Sequence, residues 1–324
     1  MTDSGADGAP AGGWVAGRRL AGKRIAISGS SRGLGRSFAM ALAAEGAAVV
    51  VNGTDQVAVD GVVAEIRAAG GTAVAVTGSV ADDAVAERIV AACVGEFGGI
   101  DVAITNAAVA RDRTLLKATV EEFDESIAVN LRGTWSVCRH AARAMVDRGG
   151  HLLLVPSAAA LTGSYGQSSY VASKGGVFAL MYTLNEELAR YGIRVNAFGP
   201  TAATGMTAGR IAVIEARARS EGRRAPEPRD LGFGSPDEVA PAVVYLCSDR
   251  ARALTGQFVR FNGRRLALWR HAGESVVIDR ERWDADLIAD NFPARQEPVW
   301  RLTPGAAVSV ADALGPVAGE SHPA

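Results

Sequence analysis

A chain of 324 residues with 48% apolar and 21% charged residues can bury a sizeable core, as one large α/β domain or two small ones. A formal net charge of −1, without a strong acidic or basic block, disfavours nucleic acid and anionic membrane surfaces as partners. Cys93, Cys138 and Cys247 are scattered through apolar helical patterns, and the four histidines show no ligand spacing. Buried thiols in a reducing, cytoplasmic setting and the absence of a metal site are therefore expected.

The segment 1–22 is rich in Gly and Ala, and its Arg18-Arg19 pair is followed by no apolar signal core. It reads as a flexible tail, and no apolar run is long enough to span a bilayer. From Lys23 strand-like and helix-like patterns alternate. Apolar runs at Arg24–Ser28, Ala47–Asn52, Thr72–Thr77, Asp101–Thr105, His151–Pro156, Ile193–Phe198 and Gln257–Phe261 predict strands. Helical periodicity at Leu34–Glu45, Val57–Ala69, Asp82–Phe97, Glu121–Val146, Ser168–Tyr191 and Pro236–Ser248 predicts the helices between them. Near-continuous apolar strands separated by helices imply a Rossmann-type, doubly wound parallel sheet covered on both faces. Ligands of such sheets bind beyond the carboxyl ends of the strands. Residues 23–263 form the predicted domain. Within it, 201–234 is polar and irregular and reads as a lid. Residues 264–324 form an extension carrying Trp269, Trp283 and Trp300, expected to pack on the domain or on a neighbouring subunit.

The first strand runs into Gly29-Ser30-Ser31-Arg32-Gly33-Leu34-Gly35 and then a helix. Glycines there allow a tight turn and close backbone approach to a pyrophosphate, which the free N–H groups of the helix start would receive. The spacing is Gly-x-x-x-Gly-x-Gly rather than Gly-x-Gly-x-x-Gly. At the tip of the second strand stand Gly53 and Thr54, with no acid to bond both ribose hydroxyls or repel a 2′-phosphate. With Arg32 nearby this favours NADP over NAD. Asp55, slightly later, speaks the other way and leaves NAD open.

Tyr170 and Lys174 lie at i and i+4, one turn apart on a single helix face. A lysine cation beside a phenol favours the phenolate, so the pair is a sensible acid/base device and is expected to lower the tyrosine pKa.

These motifs, in this order, resemble the short-chain dehydrogenases/reductases over Lys23–Gly263. Thr105-Asn106-Ala107-Ala108 is similar to the family's element lining the adenosine pocket, Asn130 to its helix asparagine, and Ser157, thirteen residues before Tyr170, to its serine. Gly199-Pro200 followed by Thr204 resembles the segment that contacts the nicotinamide, and Thr255-Gly256-Gln257 precedes the last strand. The resemblance implies a catalytic set of Asn130, Ser157, Tyr170 and Lys174. It also implies a cofactor site of Gly29, Ser31, Arg32, Gly33, Leu34, Gly35, Thr54, Ser79, Val80, Asn106, Ala107, Tyr170, Lys174, Pro200, Ala203 and Thr204. Tyr170 would exchange a proton with the substrate oxygen, Lys174 would lower its pKa and hold the nicotinamide ribose, and Ser157 would orient that oxygen. Asn130 would hold a water linking Lys174 to solvent. Ser79 departs from an aspartate common near the adenine, and Thr201 from a glycine after the proline.

The activity implied is NAD(P)H-dependent hydride transfer to or from a small-molecule ketone or secondary alcohol, such as a 3-oxoacyl thioester or a polyketide- or steroid-like ketone. A redox-neutral isomerase, dehydratase or cyclase using the same pair, and a nucleotide-binding protein without turnover, stay open. Gln167, Ser168, Ser169 and Tyr165 lie near the mouth by position. The family implies a homodimer or homotetramer built on the Glu121–Val146 and Ser168–Tyr191 helices.

Overall fold

The structure, a computed structural model, describes residues 18–269. The expectations for most of the 1–22 tail, and for the extension with Trp283 and Trp300, lie outside the described residues. The chain divides into two compact units, 1–266 and 267–324. In the first, strands β1 (Arg24–Ser28), β2 (Ala48–Gly53), β3 (Thr72–Thr77), β4 (Val102–Thr105), β5 (Gly150–Leu154), β6 (Ile193–Pro200) and β7 (Phe258–Phe261) stand in the order β3-β2-β1-β4-β5-β6-β7, each pair parallel. A short strand, β8 (Leu266–Trp269), straddles the boundary.

The helices are α1 (Gly33–Ala44), α2 (Gln56–Ala68), α3 (Asp83–Phe97), α4 (Val120–Ser126), α5 (Gly133–Met145), α6 (Ala159–Thr162), α7 (Ser168–Leu188), α8 (Gly205–Ser220) and α9 (Pro236–Cys247). The period-2 geometry of β1 explains the layering. Ile25 and Ile27 point into a core shared with Phe38 and Leu42 of α1, Val59 and Ile66 of α2, and Val239 and Val243 of α9. Ala26, buried between them, turns to the opposite face, on which α3 packs against α5 and α5 against α7. Strand order reverses between β1 and β4, and this switch point opens a crevice at the carboxyl ends of both strands.

Local chemistry sets the element ends. Asp55 caps α2 by accepting from Ala58 N–H, and Gly98, at φ 78°, ends α3 in the left-handed conformation. Ser235 and Glu238 form a reciprocal capping box with Pro236 at the first position of α9.

Two expectations need correction. The single helix predicted over Glu121–Val146 is broken by a π-turn at Ile127–Arg132, which separates α4 from α5. The apolar period runs through the insertion, so periodicity cannot see it. The segment 201–234 is not wholly irregular, because α8 occupies its first half. Among the residues of that helix whose burial is described, only Ile211 and Ala218, two turns apart, are buried. Its outer face holds the i,i+4 pairs Glu215–Arg219 and Arg217–Glu221, so the sequence looks polar all round. The path after Pro200 is fixed by backbone: Thr201 N–H donates to Phe261 O at 2.9 Å and Thr201 O accepts from Gly234 N–H at 3.1 Å.

Cys93, Cys138 and Cys247 are buried and unpaired. Burial pushes each thiol up to about 12, so none is a ready nucleophile. Among the described residues no helix is long and apolar enough to cross a membrane.

Candidate active site

The loop after β1 is shaped by contacts that tolerate no side chain. Gly29 (φ 65°) lies so close to β4's exit that an added Cβ would sit 2.6 Å from Ala107 Cα. A Cβ on Gly35 would strike the carbonyl oxygen of Gly29 and come within 2.6 Å of Asn106 Nδ2. The loop folds back over the start of α1, whose capping position, Arg32, contributes no side-chain cap and whose first turn holds no acid. Its leading N–H groups and positive dipole end therefore remain available to an anion.

Two asparagines hold this cradle from beneath. Asn106 Nδ2 donates to Gly29 O at 2.7 Å and Ser28 O at 3.3 Å, and Ala107 N–H donates to Ser28 Oγ. Asn52, buried at the end of β2, accepts from Gly29 N–H at 3.0 Å. Its amide also donates to Val76 O at 3.0 Å and Gly78 O at 3.1 Å. One side chain thus ties the ends of β1, β2 and β3 together. A search of the sequence for an acid at this strand tip passes over Asn52; the available signal is a lone amide ending an apolar run.

Ser31 covers Gly53 so closely that a Cβ there would collide with the Ser31 hydroxyl. Thr54 and Arg32 are exposed. Ser79 Oγ accepts from Ala81 N–H at 3.3 Å, while Val80 is buried against Gly133. Across the crevice, Ala203 N–H donates to Gly234 O, and the Thr204 methyl would lie 3.9 Å from a Cβ on Gly33. The loops after β1 and β6 therefore meet. Thr204 opens α8 and, with Ala203, Gly205, Ala208, Ile211, Ala212 and Glu215, lines an open cleft of about 380 Å³. These groups fit a dinucleotide: a glycine cradle, an uncapped helix start and a cleft beyond it.

The second cluster sits on α7 and the loop after β5. Lys174 is fully buried, and its Nζ donates to Val155 O at 2.7 Å. Burial pulls the ammonium down to about 8. Tyr170 is half-buried, with Lys174 Nζ 6.0 Å from its ring centroid. Burial pushes the phenol up, a hydrogen bond with Ser157 pulls it back, and the Asp112 carboxylate pushes it up again. The expected lowering of the phenol by Lys174 is thus not seen in this geometry. The ammonium is turned to the Val155 carbonyl, and burial outweighs charge on the phenol. Ser157 also accepts from Ala159 N–H at 3.3 Å.

Asn130, in the π-turn, is buried with both amide hydrogens engaged. Its Oδ1 accepts from Val109 N–H at 2.8 Å; its Nδ2 donates to Val109 O and to Ser173 Oγ, each at 2.9 Å. The side chain is a clamp joining the loop after β4 to α7, a role the sequence does not disclose. His151 lies at the other end of β5, buried, its ring nitrogen 3.1 Å from the Asn196 amide. Among the described residues no group of three or more acidic, histidine or cysteine side chains could hold a metal ion.

A family model described as enoyl-(acyl carrier protein) reductase matches residues 29–263. The chain belongs to the short-chain dehydrogenases/reductases. It is 36% identical over 248 residues to an L-rhamnose 1-dehydrogenase (NAD(P)(+)) of Azotobacter vinelandii, covering 74% of this chain and 95% of that enzyme. It is 35% identical over 245 residues to the 3-oxoacyl-[acyl-carrier-protein] reductase FabG of Staphylococcus aureus, covering 74% and 97%. The hydroxyacyl-CoA dehydrogenase ChsB1 of Mycobacterium tuberculosis matches over 284 residues at 35% identity, covering 82% of this chain and 86% of that one. A solved short chain dehydrogenase from Mycobacterium avium superposes with a TM-score of 0.71 at 34% identity, covering 86% of this chain and 98% of the other. This member of the family is an NAD(P)-dependent oxidoreductase acting between ketones and secondary alcohols.

Proposed function

We propose that the chain is an NADPH-preferring reductase of 3-oxoacyl thioesters, and that Tyr170, Ser157 and Lys174 carry its proton chemistry. The feature that supports this most is the convergence of two groups on the phenol: the Ser157 hydroxyl, which acts to lower its pKa, and Lys174, one turn away on the same helix with Nζ 6.0 Å from the ring centroid. Gly29, Ser31, Arg32, Gly33, Leu34, Gly35, Thr54, Ser79, Val80, Asn106 and Ala107 would hold the adenosine and phosphate end of the cofactor. Tyr170, Lys174, Pro200, Ala203 and Thr204 would hold the nicotinamide end. When bound, the reduced nicotinamide supplies a hydride to the carbonyl carbon. The protein's part is the oxygen. The Ser157 hydroxyl hydrogen-bonds it and fixes its angle, and the Tyr170 phenol gives it a proton as negative charge develops there. A phenol held protonated by burial is suited to that donation. Lys174, buried and pulled down to about 8, is poised to exchange a proton near neutrality.

NADPH is favoured because Asp55, the first acid after the tip of β2, is engaged in capping α2 at 3.2 Å, whereas Arg32 is exposed on the glycine loop. Two relatives acting on acyl thioesters support the substrate class. So do the apolar side chains Ala203, Ala208, Ile211 and Ala212, which share the wall of the cleft with Thr204 and Glu215. Self-association through α5 and α7 is supported by an apolar cleft of about 420 Å³ lined by Ile127, Leu131, Trp135, Gly176, Ala179 and Leu180. Free buried thiols support a reducing, cytoplasmic location.

The test is reduced-nicotinamide absorbance with acetoacetyl-CoA, a panel of ketones and L-rhamnose with oxidised cofactor, on wild type and Tyr170→Phe. We expect thioester reduction to lead the panel and to fall by about 10²–10⁴-fold in the variant. Turnover unchanged in Tyr170→Phe would refute the acid role, and preference for the sugar would refute the substrate class.

A further inference from the structure

The loop between β4 and α4, residues 106–119, has no regular structure of its own yet is fastened at two points. Near its root Asn130 bonds both the N–H and the C=O of Val109. Further along, Gln167 Nε2 donates to Asp112 Oδ1 at 2.9 Å, and Arg113 forms an isolated parallel bridge with Gln167. Gly166, at φ 75°, precedes it, and a Cβ there would lie 3.9 Å from the Arg113 carbonyl, so the two chains run in contact. Gln167 is the capping residue of α7, three positions before Tyr170, but its side chain does not cap the helix. Its amide is spent across the mouth on Asp112 instead.

The charges around this bond are arranged unevenly. Arg111 pairs with Glu125 and Arg113 with Glu122. Among the described residues Asp112 forms no ion pair with a cation; its partner is the neutral Gln167 amide. The groups acting on the Tyr170 phenol are Asp112 from this loop and the Ser157 hydroxyl from the loop after β5. From its own helix comes Lys174, 6.0 Å from the ring centroid.

We propose that Asp112 and Gln167 are positioning residues for the carbonyl chemistry: their bond seats the 106–119 loop against the first turn of α7 and keeps a fixed negative charge beside the Tyr170 phenol. The inference rests on the reading of Tyr170 as the proton donor. A carboxylate near a phenol opposes its ionisation, so Asp112 acts in the same direction as burial and keeps the donor protonated. The clasp therefore biases the site toward reduction, in which Tyr170 must carry its proton.

Two variants separate the charge from the bond. Asp112→Asn retains an oxygen that accepts from Gln167 but removes the charge; Gln167→Ala removes the bond and leaves the charge. The ionisation of Tyr170 is read by ultraviolet phenolate titration of the full chain, as the difference between each protein and its Tyr170→Phe counterpart, with no substrate needed. The Tyr170 midpoint is expected to move to lower pH in Asp112→Asn. The alkaline limb of kcat/KM for acetoacetyl-CoA reduction should move with it, and the limb for alcohol oxidation should move the same way, raising oxidation at lower pH. Gln167→Ala is expected to lower kcat, by up to roughly a hundred-fold for a misplaced reacting group, without that shift. An unmoved or raised midpoint in Asp112→Asn overturns the charge role. Wild-type kcat and KM in Gln167→Ala overturn the clasp. If Tyr170→Phe itself reduces acetoacetyl-CoA at the wild-type rate, the reading of the site fails, while the titration still reports whether Asp112 acts on the phenol.

Discussion

The two ends of the crevice are built from different materials. At the nucleotide end the shape is made by backbone. Gly29, Gly35 and Gly53 each occupy a place where a Cβ would meet other atoms of the cradle, and Asn52 and Asn106 hold that backbone from below. At the carbonyl end the shape is made by side chains on α7 and on loops: Lys174 against Val155 O, Ser157 toward Tyr170, Gln167 to Asp112. The first kind of site cannot be altered without altering the fold. The second carries groups whose burial or charge costs stability and which the fold alone would do better without. Variants at the nucleotide end should therefore lose stability and cofactor affinity together, whereas variants at the carbonyl end should separate turnover from stability.

Lys174→Met would break this contrast most visibly. Reduction is expected to fall by about 10²–10⁴-fold, the range for losing an acid/base function. Stability should respond with the opposite sign. The ammonium has an ordinary value of 10.5 and is pulled down to about 8 by burial. Below pH 8 the folded and unfolded chains both carry the charge, and the full cost of burying it is present. As pH rises from about 8 towards 10.5 the folded protein sheds the proton first, and the cost is relieved. The shift corresponds to roughly 3 kcal/mol as an upper figure, reduced by the Val155 carbonyl that methionine leaves unbonded. Urea midpoints of the cofactor-free protein at pH 7.5 and 10 test this. The midpoint of the variant relative to wild type should drop between the two pH values, and a relative gain with rising pH would contradict the buried-charge account.

Gly35→Ala acts on the backbone end. The added methyl strikes Gly29 O and Asn106, neither of which is the free end of a flexible chain. Overpacking of this kind costs about 1–3 kcal/mol, and the displaced loop should lower NADPH affinity by about ten-fold or more. Tm and a fluorescence titration of NADPH read the two losses. A variant that lost affinity with an unchanged Tm would show that the loop is not coupled to the fold as described.

Asn52→Ala tests the same coupling from beneath. It removes the side-chain partner of Gly29 N–H and one donor each from Val76 O and Gly78 O, and a buried group left without a partner costs about 1–3 kcal/mol. Relaxation and water entry at the strand ends should hold the total near the lower end, about 2 kcal/mol. A midpoint within error of wild type would leave Asn52 a bystander.

Legibility in the sequence follows the same division. Strands β1 and β3 are predicted with their observed ends, because continuous apolar runs bounded by Gly and polar residues leave little choice of register. The glycine loop is legible because only glycine satisfies its positive φ and close approach. The π-turn is hidden, since the side-chain period runs through it and what identifies it is i→i+5 backbone bonding, which leaves no mark in the sequence. Helix α8 is hidden because, among its residues whose burial is described, only Ile211 and Ala218 are buried. The pairing of Asp112 with Gln167 spans 55 residues of sequence and has no local signature. Sequence alone gives the wrong sign for the phenol's shift for a related reason: helical spacing places Lys174 near Tyr170, but only the three-dimensional structure shows where its ammonium points.

Arg32→Ala should have the smallest effect and addresses cofactor choice. The side chain is exposed and bonds no cap on α1, so its removal should leave Tm within error. An exposed cation facing a phosphate is worth on the order of 1 kcal/mol, or about five-fold in affinity, and less at high salt. NADPH binding should therefore weaken by about that factor, while NADH, which lacks the 2′-phosphate, should bind as before. Equal weakening of both cofactors would place Arg32 over the pyrophosphate that they share, and tighter NADH than NADPH in the wild type would reverse the preference inferred from Thr54 and Asp55.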